Sequence, residues 1–304
     1  MTLLPQSTLD QLALARFAVR RAMNGSRHGN HRSPFTGASA EFAQHREYCP
    51  GDEPRRIDWR VLARTDRFVV KQYDQETNLG ATLLLDASAS MGYADTRNQA
   101  SSKLMHAKRL AAALAWILIR QGDAVGMVTY DNAIRLRMPI ASTVSHLHRL
   151  LRTLDGLQPS GPSATATVIH QLAETTPARG LVVLCSDLFD DTDSLQHALH
   201  HLRHRNHEVV VLHVLAPEEL HFPFDESIRF RDLEGQSESL DVDPQAIRRE
   251  YLQQLHGHLD AVKRACHQVE ADYLLTTTDQ SVPDVLTSYL ATRLHRTSAS
   301  GGYA

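Results

Sequence analysis

In the stretch TLLLDASASMG, residues 82–92, Asp86, Ser88 and Ser90 stand at alternate positions where an apolar run ends. Three hard-oxygen side chains at that spacing suit either a serine or aspartate nucleophile or a divalent cation. The nucleophile readings lack their companions. A hydrolase elbow, G-x-S-x-G, needs a glycine where SASMG has Ser88. An aspartyl-phosphate mechanism on Asp86 wants a second acid two residues on as proton donor, and Ser88 holds that place too. ATP chemistry would need a G-x-x-x-x-G-K-[ST] loop, which the chain does not contain. A cation site needs only oxygens, and magnesium takes carboxylate, hydroxyl and water oxygens at about 2.0–2.1 Å. Asp187, after the apolar run LVVLCS, supplies a second carboxylate; the loop SGPSATAT offers a hydroxyl from Ser163, Thr165 or Thr167.

Particular elements must bring these oxygens together. In an extended chain Asp86 and Ser90 lie about 13 Å apart at roughly 3.3 Å per residue, so the backbone must curl directly after the strand. Ala87, Ala89 and Gly92 permit that curl. Hydrophobic patterning predicts strands over 68–74, 81–86, 124–131, 133–139, 180–187, 208–215 and 272–278. The two strands joined at Asp131-Asn132 are close enough to form a hairpin. Helices are predicted over 9–23, 102–121, 165–174, 194–204, 244–267 and 285–294, and through Leu147, Leu150, Leu151 and Leu154 at i, i+3, i+4, i+7 spacing. Continuous β-branched runs such as EVVVLHVL mark strands covered on both faces, and the strand–helix alternation predicts a mostly parallel doubly wound sheet. Ligands of such sheets bind beyond the carboxyl ends of the strands, where Asp86 and Asp187 fall. A small hairpin is predicted in residues 227–244, around Glu234-Gly235.

Composition narrows the function. The 304 residues carry a net charge of −3, split as +3 over residues 1–79 (12 Lys/Arg, 9 Asp/Glu) and −6 over 80–304 (20 and 26). Neither part has the positive field of a nucleic-acid binder. The longest apolar run, Leu110–Ile119, is far shorter than the roughly 20 residues of a membrane span. Three scattered cysteines, Cys49, Cys185 and Cys266, disfavour a disulfide framework, and with no secretory signal visible the expected compartment is the cytoplasm. His197, His200, His201, His204 and His207 could pair on zinc, but Leu195, Leu199 and Leu202 form the buried stripe of that helix, which puts the histidines on its wet side.

The site motif and its surroundings resemble known families. D-x-S-x-S after an apolar strand, a hydroxyl loop downstream and a strand-end Ser-Asp are similar to the metal-ion-dependent adhesion site of von Willebrand factor A domains. The upstream segment REYCPGDEPRRIDW has the form R-x-Y-x-x-G-D-x-x-R-x-I-D-W, at Arg46, Tyr48, Gly51, Asp52, Arg55, Ile57, Asp58 and Trp59. Together with DLEG at Asp232 to Gly235, it resembles the bacterial domain-of-unknown-function family fifty-eight. The resemblance implies a von Willebrand factor A-like α/β fold with one antiparallel edge strand. It implies magnesium, with manganese or calcium as alternatives, on Asp86, Ser88, Ser90, Asp187 and a middle-loop hydroxyl from Ser163 or Thr165. The expected organisation is an N-terminal segment, 1–79, an A-like domain, 80–296, with its insertion at 217–244, and a disordered tail, 297–304. Arg46, Tyr48, Asp52, Arg55, Asp58 and Trp59 are expected either to fasten the N-terminal segment by charge-assisted hydrogen bonds or to dock a partner. Arg64 and Lys71 share those alternatives. Functionally, the resemblance implies a non-enzymatic, metal-dependent interaction module that accepts an acidic residue of a ligand protein and works with a MoxR-type AAA+ ATPase. The alternatives are a metal-free scaffold acting through the N-terminal segment and a hydrolase or phosphoryl-transfer enzyme using Asp86.

Overall fold

A computed structural model of the chain describes residues 3–18, 41–48, 57–74, 80–94, 101–177, 179–225, 228–230, 233–234 and 240–300. The chain divides into two units, one formed by residues 1–22 with 79–304 and the other by residues 23–78.

In the larger unit, α1 (Gln6–Gln11) precedes β3 (Gly80–Asp86), α3 (Lys103–Arg120), β4 (Ala124–Tyr130), β5 (Ile134–Ala141), α4 (Val144–Gly156), α5 (Thr165–Thr175) and β6 (Leu181–Ser186). Then follow α6 (Thr192–His204), β7 (Glu208–Leu215), α7 (Pro217–His221), β8 (Ile228–Phe230), β9 (Leu240–Val242), α8 (Pro244–Gln268), β10 (Asp272–Thr277) and α9 (Val282–Ser300). The main sheet has the order β10-β7-β6-β3-β4-β5, parallel except for β5, which pairs antiparallel with β4. This is the von Willebrand factor A-like α/β architecture, doubly wound with one antiparallel edge. After β3 the chain runs outward to β4 and β5, then crosses back to lay β6 on the other side of β3, so the switch point falls between β3 and β6.

Alternation along the buried strands feeds two apolar layers. On one face Leu84, Val128, Val182, Leu184, Val209 and Val211 pack with residues of α5, α6 and α8 such as Ile169, Leu199 and Val262. On the other, α3 lies against the strands and packs against both α4 and α9, which also reach the sheet through His146 to the Val125 carbonyl and Arg293 to Asp272 and Glu208. Its run Leu110–Ile119 is buried throughout except Trp116, which is why it reads as apolar all round. Ser102 caps α3 and accepts a hydrogen bond from the Met105 N–H at 3.2 Å. The edge strand β5 is different: most of its residues are exposed or half-exposed, and Pro139 interrupts its donors. Its arginines fold back on the unit, Arg135 to the Gln158 carbonyl at 2.8 Å and Arg137 to the Thr175 hydroxyl at 2.7 Å.

The smaller unit holds β1 (Glu41–Glu47), α2 (Trp59–Thr65) and β2 (Val69–Asp74), with β1 and β2 antiparallel and a register shift between Phe42 and Gln44. Tyr48 donates its N–H to the Phe68 carbonyl at 2.9 Å, and their rings lie 6.2 Å apart. Asp58 is the N-cap of α2, accepting from the Arg60 N–H at 3.0 Å and the Val61 N–H at 3.4 Å.

Several expectations change. The helix predicted over 9–23 is α1, earlier and shorter; Leu12 and Phe17 beyond it are buried, and the Phe17 N–H donates to Gln121 Oε1 at 2.9 Å. Burying these side chains joins residues 1–22 to the sheet unit instead of to one segment ending at 79. Strand 68–74 pairs with β1 and takes no place in the main sheet. The tail expected from 297 is helical through Ser300, because Ser298 and Ala299 tolerate a helix that the Gly301-Gly302 pair does not favour. Residues 301–304 lie outside the described residues. The predicted hairpin is present as β8 paired with β9.

Candidate metal centre

The site is assembled from the turns that follow β3 and β6 and the loop before α5. After Asp86 the chain passes through Ser88 in extended conformation and enters one 3-10 turn over Ala89–Gly92, which supplies the required curl. Gly92 has no positive φ; its value is closeness, since a Cβ there would meet Pro159 Cγ at 3.0 Å. The loops are laced by backbone bonds: Ala89 N–H to Gly161 O at 2.7 Å, Ser160 N–H to Ala87 O at 2.9 Å, and Ala164 N–H to Asp131 O at 3.1 Å. Gly161, at φ +72°, makes the turn that lets these bonds close.

The buried Asp86 carboxylate is the centre. Its Oδ1 accepts from the Ser88 N–H at 2.8 Å, and its Oδ2 accepts from the Ser186 hydroxyl at 2.7 Å and the Ser163 hydroxyl at 3.2 Å. Ser88 and Ser90 hydroxyls lie 3.1 Å apart, as do those of Ser163 and Thr165. Oxygens sharing a magnesium ion at about 2.0–2.1 Å sit about 2.9 Å apart when adjacent, so Asp86, Ser88, Ser90 and Ser163 fit such an ion in chemistry, and the Ser88–Ser90 and Asp86–Ser163 pairs, at 3.1 and 3.2 Å, each come near that spacing. Of the middle-loop candidates, Ser163 touches Asp86 directly. Thr165 stands behind it, buried and accepting from the Tyr130 hydroxyl at 3.2 Å, and Thr167 is exposed on α5.

Asp187 reaches the same end of the sheet but is already engaged. Its Oδ2 lies 2.7 Å from Lys103 Nζ, which lies equally 2.7 Å from Glu219 Oε1. Lys103 is the first residue of α3 and is buried, with the Phe189 ring 5.2 Å from its ammonium. His213 holds the Asp187 carbonyl at 2.7 Å through Nε2 and the Tyr273 hydroxyl at 3.0 Å through Nδ1.

Electrostatics follow from this crowding. Burial, reinforced by the nearby Asp187 charge, pushes the Asp86 carboxyl up to about 7, although hydrogen bonds from Ser88 and Ser186 oppose the shift. Burial favours a neutral Lys103, but the two carboxylates outweigh it and hold its pKa above the ordinary lysine value. Glu219 is raised, chiefly by burial, against the pull of Lys103. A divalent cation beside Asp86 would reverse the local penalty on its ionised form.

Residues that the motif did not announce complete the surroundings. Ser186 bonds Asp86, and Asp190 accepts from Ser163 at 3.4 Å. Burial raises the Glu234 carboxyl between β8 and β9 above its ordinary value, with hydrogen bonding to the Ser163 backbone and the Ser90 side chain opposing the shift and the Asp187 and Asp190 charges adding to it. The strand-end Ser-Asp pair was a signal for Ser186, and DLEG was one for Glu234, but neither implied a contact. Among the described residues no group of three or more His, Cys, Asp or Glu is arranged to hold a metal, so a cation here depends on hydroxyls, and the α6 histidines form no zinc site. His201 instead meets His170 of α5, their Nδ1 atoms 3.0 Å apart.

In the smaller unit, Asp58 serves the α2 N-terminus. Trp59, at 59% exposure, is no buried anchor, because it opens the helix on its outer side. Arg46 lies on β1 opposite Val70, Arg64 is exposed in the last turn of α2, and Lys71 lies on β2 opposite His45. Asp52, Arg55 and Gly51 lie outside the described residues.

Residues 44–260 match the family described as "Protein of unknown function DUF58". Uncharacterized proteins of Mycobacterium bovis and Mycobacterium tuberculosis are each 28% identical to the chain over 280 residues, covering 90% of it and 86% of their own length. Among solved structures, the conserved hypothetical protein BatB from Bacteroides thetaiotaomicron aligns with a TM-score of 0.48 at 19% identity, over 71% of this chain and 99% of that one. The SpRpn10 VWA domain aligns with a TM-score of 0.40 at 11% identity, over 69% and 94%.

Proposed function

The chain belongs to the DUF58 family, and from that premise we propose that it is a non-enzymatic protein-interaction module whose binding depends on a divalent cation held at the β3–β6 switch point. Asp86, Ser88, Ser90 and Ser163 would hold the ion, with Thr165 behind them and Asp187 available once released from Lys103. Magnesium suits these donors best, with manganese or calcium as substitutes. When bound, the ion supplies a position for an acidic side chain of a ligand protein. The observation that carries this reading is the convergence of oxygens from separate loops on the Asp86 carboxylate, at 2.7–3.2 Å. Catalysis is disfavoured by what Ser88 faces: its hydroxyl lies against that of Ser90, which is no general base.

The working partner we propose is a MoxR-type AAA+ ATPase, on the family resemblance alone, with the chain as its adaptor in maturing or assembling other proteins in the cytoplasm. No helix among the described residues is long and apolar enough to cross a membrane. The test is co-purification of the tagged chain from its host with magnesium, with chelator, and with Asp86→Ala. Partner capture that survives both chelator and Asp86→Ala refutes the metal-dependent reading and favours a scaffold binding through its N-terminal segment.

A further inference from the structure

The loop that follows β6 is tied to the Asp86 carboxylate on both sides of one residue. Before it, the Ser186 hydroxyl donates to Asp86 Oδ2 at 2.7 Å and accepts the Leu188 N–H at 3.0 Å. After it, Asp190 Oδ2 lies 3.4 Å from the Ser163 hydroxyl, which itself lies 3.2 Å from Asp86 Oδ2. The residue between is Phe189, and it is 49% exposed. Leu188 takes φ +52°, in the left-handed region that leucine rarely enters. That turn sends the Leu188 side chain into the core and leaves Phe189 at the surface. From α8, His258 donates through Nε2 to the Leu188 carbonyl at 2.8 Å and stacks on the Phe189 ring, centroids 5.9 Å apart and planes at 19°. The Lys103 ammonium lies 5.2 Å from the same ring and 2.7 Å from Asp187 Oδ2. A scattered exposed aromatic needs no explanation. One held by a left-handed leucine, a stacked histidine and a lysine, beside the oxygens around Asp86, is a fixed apolar contact at the rim of the candidate cation site.

We propose that Phe189 is a specificity-determining contact: it takes an aromatic side chain adjoining the acid that a ligand protein offers to the cation, so the module selects such an acid over a solitary one. The inference rests on the reading of Asp86, Ser88, Ser90 and Ser163 as a divalent-cation site, and it names the class of segment that binds there. A carboxylate alone is common to every exposed aspartate and glutamate and so carries little selectivity. A ring packed on Phe189 supplies the discrimination. Because Leu188 and His258 hold Phe189 before binding, little side-chain freedom is lost on contact.

The test uses the full chain with Mn2+ as a paramagnetic probe, water-proton relaxation reporting the waters displaced from the ion. Two peptides serve as ligands, acetyl-Phe-Asp-Phe-amide and acetyl-Ala-Asp-Ala-amide. Wild type binds the aromatic peptide about two- to tenfold more tightly than the alanine one. Phe189→Ala abolishes that preference while its affinities for Mn2+ and for the alanine peptide stay at the wild-type level. Equal affinities of the two peptides for Mn2+-loaded wild type refute the role of Phe189 and leave the cation site standing; this comparison needs no variant, so it decides even where Phe189→Ala fails to fold. A preference that persists in Phe189→Ala, or a loss shared equally by both peptides, also overturns the inference, the second result marking Phe189 as a support of the loop. If wild type binds no Mn2+, the cation reading and the inference fall together.

Discussion

Replacing Lys103 with methionine isolates the buried charge cluster at the start of α3. The ammonium is 1% exposed and lies 2.7 Å from both Asp187 and Glu219. At an effective dielectric near 20, unit charges that close attract by about 6 kcal/mol per pair, before desolvation and the repulsion between the acids are set against it. Methionine fills much of the volume but leaves two carboxylates facing each other with their shared cation gone, and breaking a buried pair in this way costs about 3–5 kcal/mol. For a domain of this size, at about 2–4 °C per kcal/mol, the melting temperature falls by about 6–20 °C. Urea titrations of wild type, Lys103→Met, Glu219→Gln and the double variant form the assay. Removing Glu219 as well relieves the orphaned acid, so the double variant is more stable than the summed single losses imply, by about 1–3 kcal/mol. Magnesium should stabilise Lys103→Met more than wild type, since Asp187 is then free to serve the ion. A Lys103→Met protein within 1 kcal/mol of wild type, or strict additivity in the cycle, would refute the reasoning.

Other outcomes are as definite. His106 is buried on α3, and because Thr276 donates its hydroxyl to Gln280, His106 Nε2 donates to Thr276 at 3.1 Å. Burial, with help from Arg109 and against Asp279, holds its pKa near about 4, whereas the unfolded chain binds that proton below about 6.5. The unfolded state therefore carries more protons between these values, and His106 removes on the order of 3 kcal/mol of stability as pH falls across them. The wild-type advantage over His106→Asn in urea should shrink from pH 7.5 to pH 4.5, and a constant difference would contradict the assignment. At Gly126 a Cβ would lie 2.9 Å from both Ile140 Cγ1 and the Met138 carbonyl oxygen, so Gly126→Ala forces β4 and β5 apart, at about 1–3 kcal/mol. Gly156→Ala, with nothing within 4 Å of the added carbon, serves as control and should leave the urea midpoint unchanged or slightly raised.

The sheet and most of its helices were legible because their signals are local. Runs such as EVVVLHVL and the Leu147–Leu154 spacing declare buried strands and a one-sided helix without knowledge of neighbours. The site was legible in part for the same reason: Asp86, Ser88 and Ser90 share one short stretch, and β3 delivers them to the sheet's end whatever lies beside it. What escaped was relational. Lys103 looks like any first-turn lysine until α3 brings it to Asp187, 84 residues away. Glu234 stands in the DLEG motif, whose spacing does not reveal the Asp187 and Asp190 charges that add to the rise burial gives its carboxyl. The choice among Ser163, Thr165 and Thr167 depended on how the loop turns at Gly161, which spacing alone left open. The early helix failed for another reason: Leu12 and Phe17 are buried beyond α1, the Phe17 ring 4.3 Å from the Arg293 guanidinium, without sharing a helical face.

The outermost strand, β5, also decides what the protein does in a crowd of its own kind. A bare sheet edge invites another chain to add its backbone, the first step towards fibrous aggregates. Here Pro139 withholds a main-chain donor, and a second copy laid alongside would set Arg135 and Arg137 against their own duplicates. Sheet growth past β5 is therefore disfavoured, and under the proposed function recognition of other molecules falls to the opposite chemistry of side-chain oxygens at the strand tips.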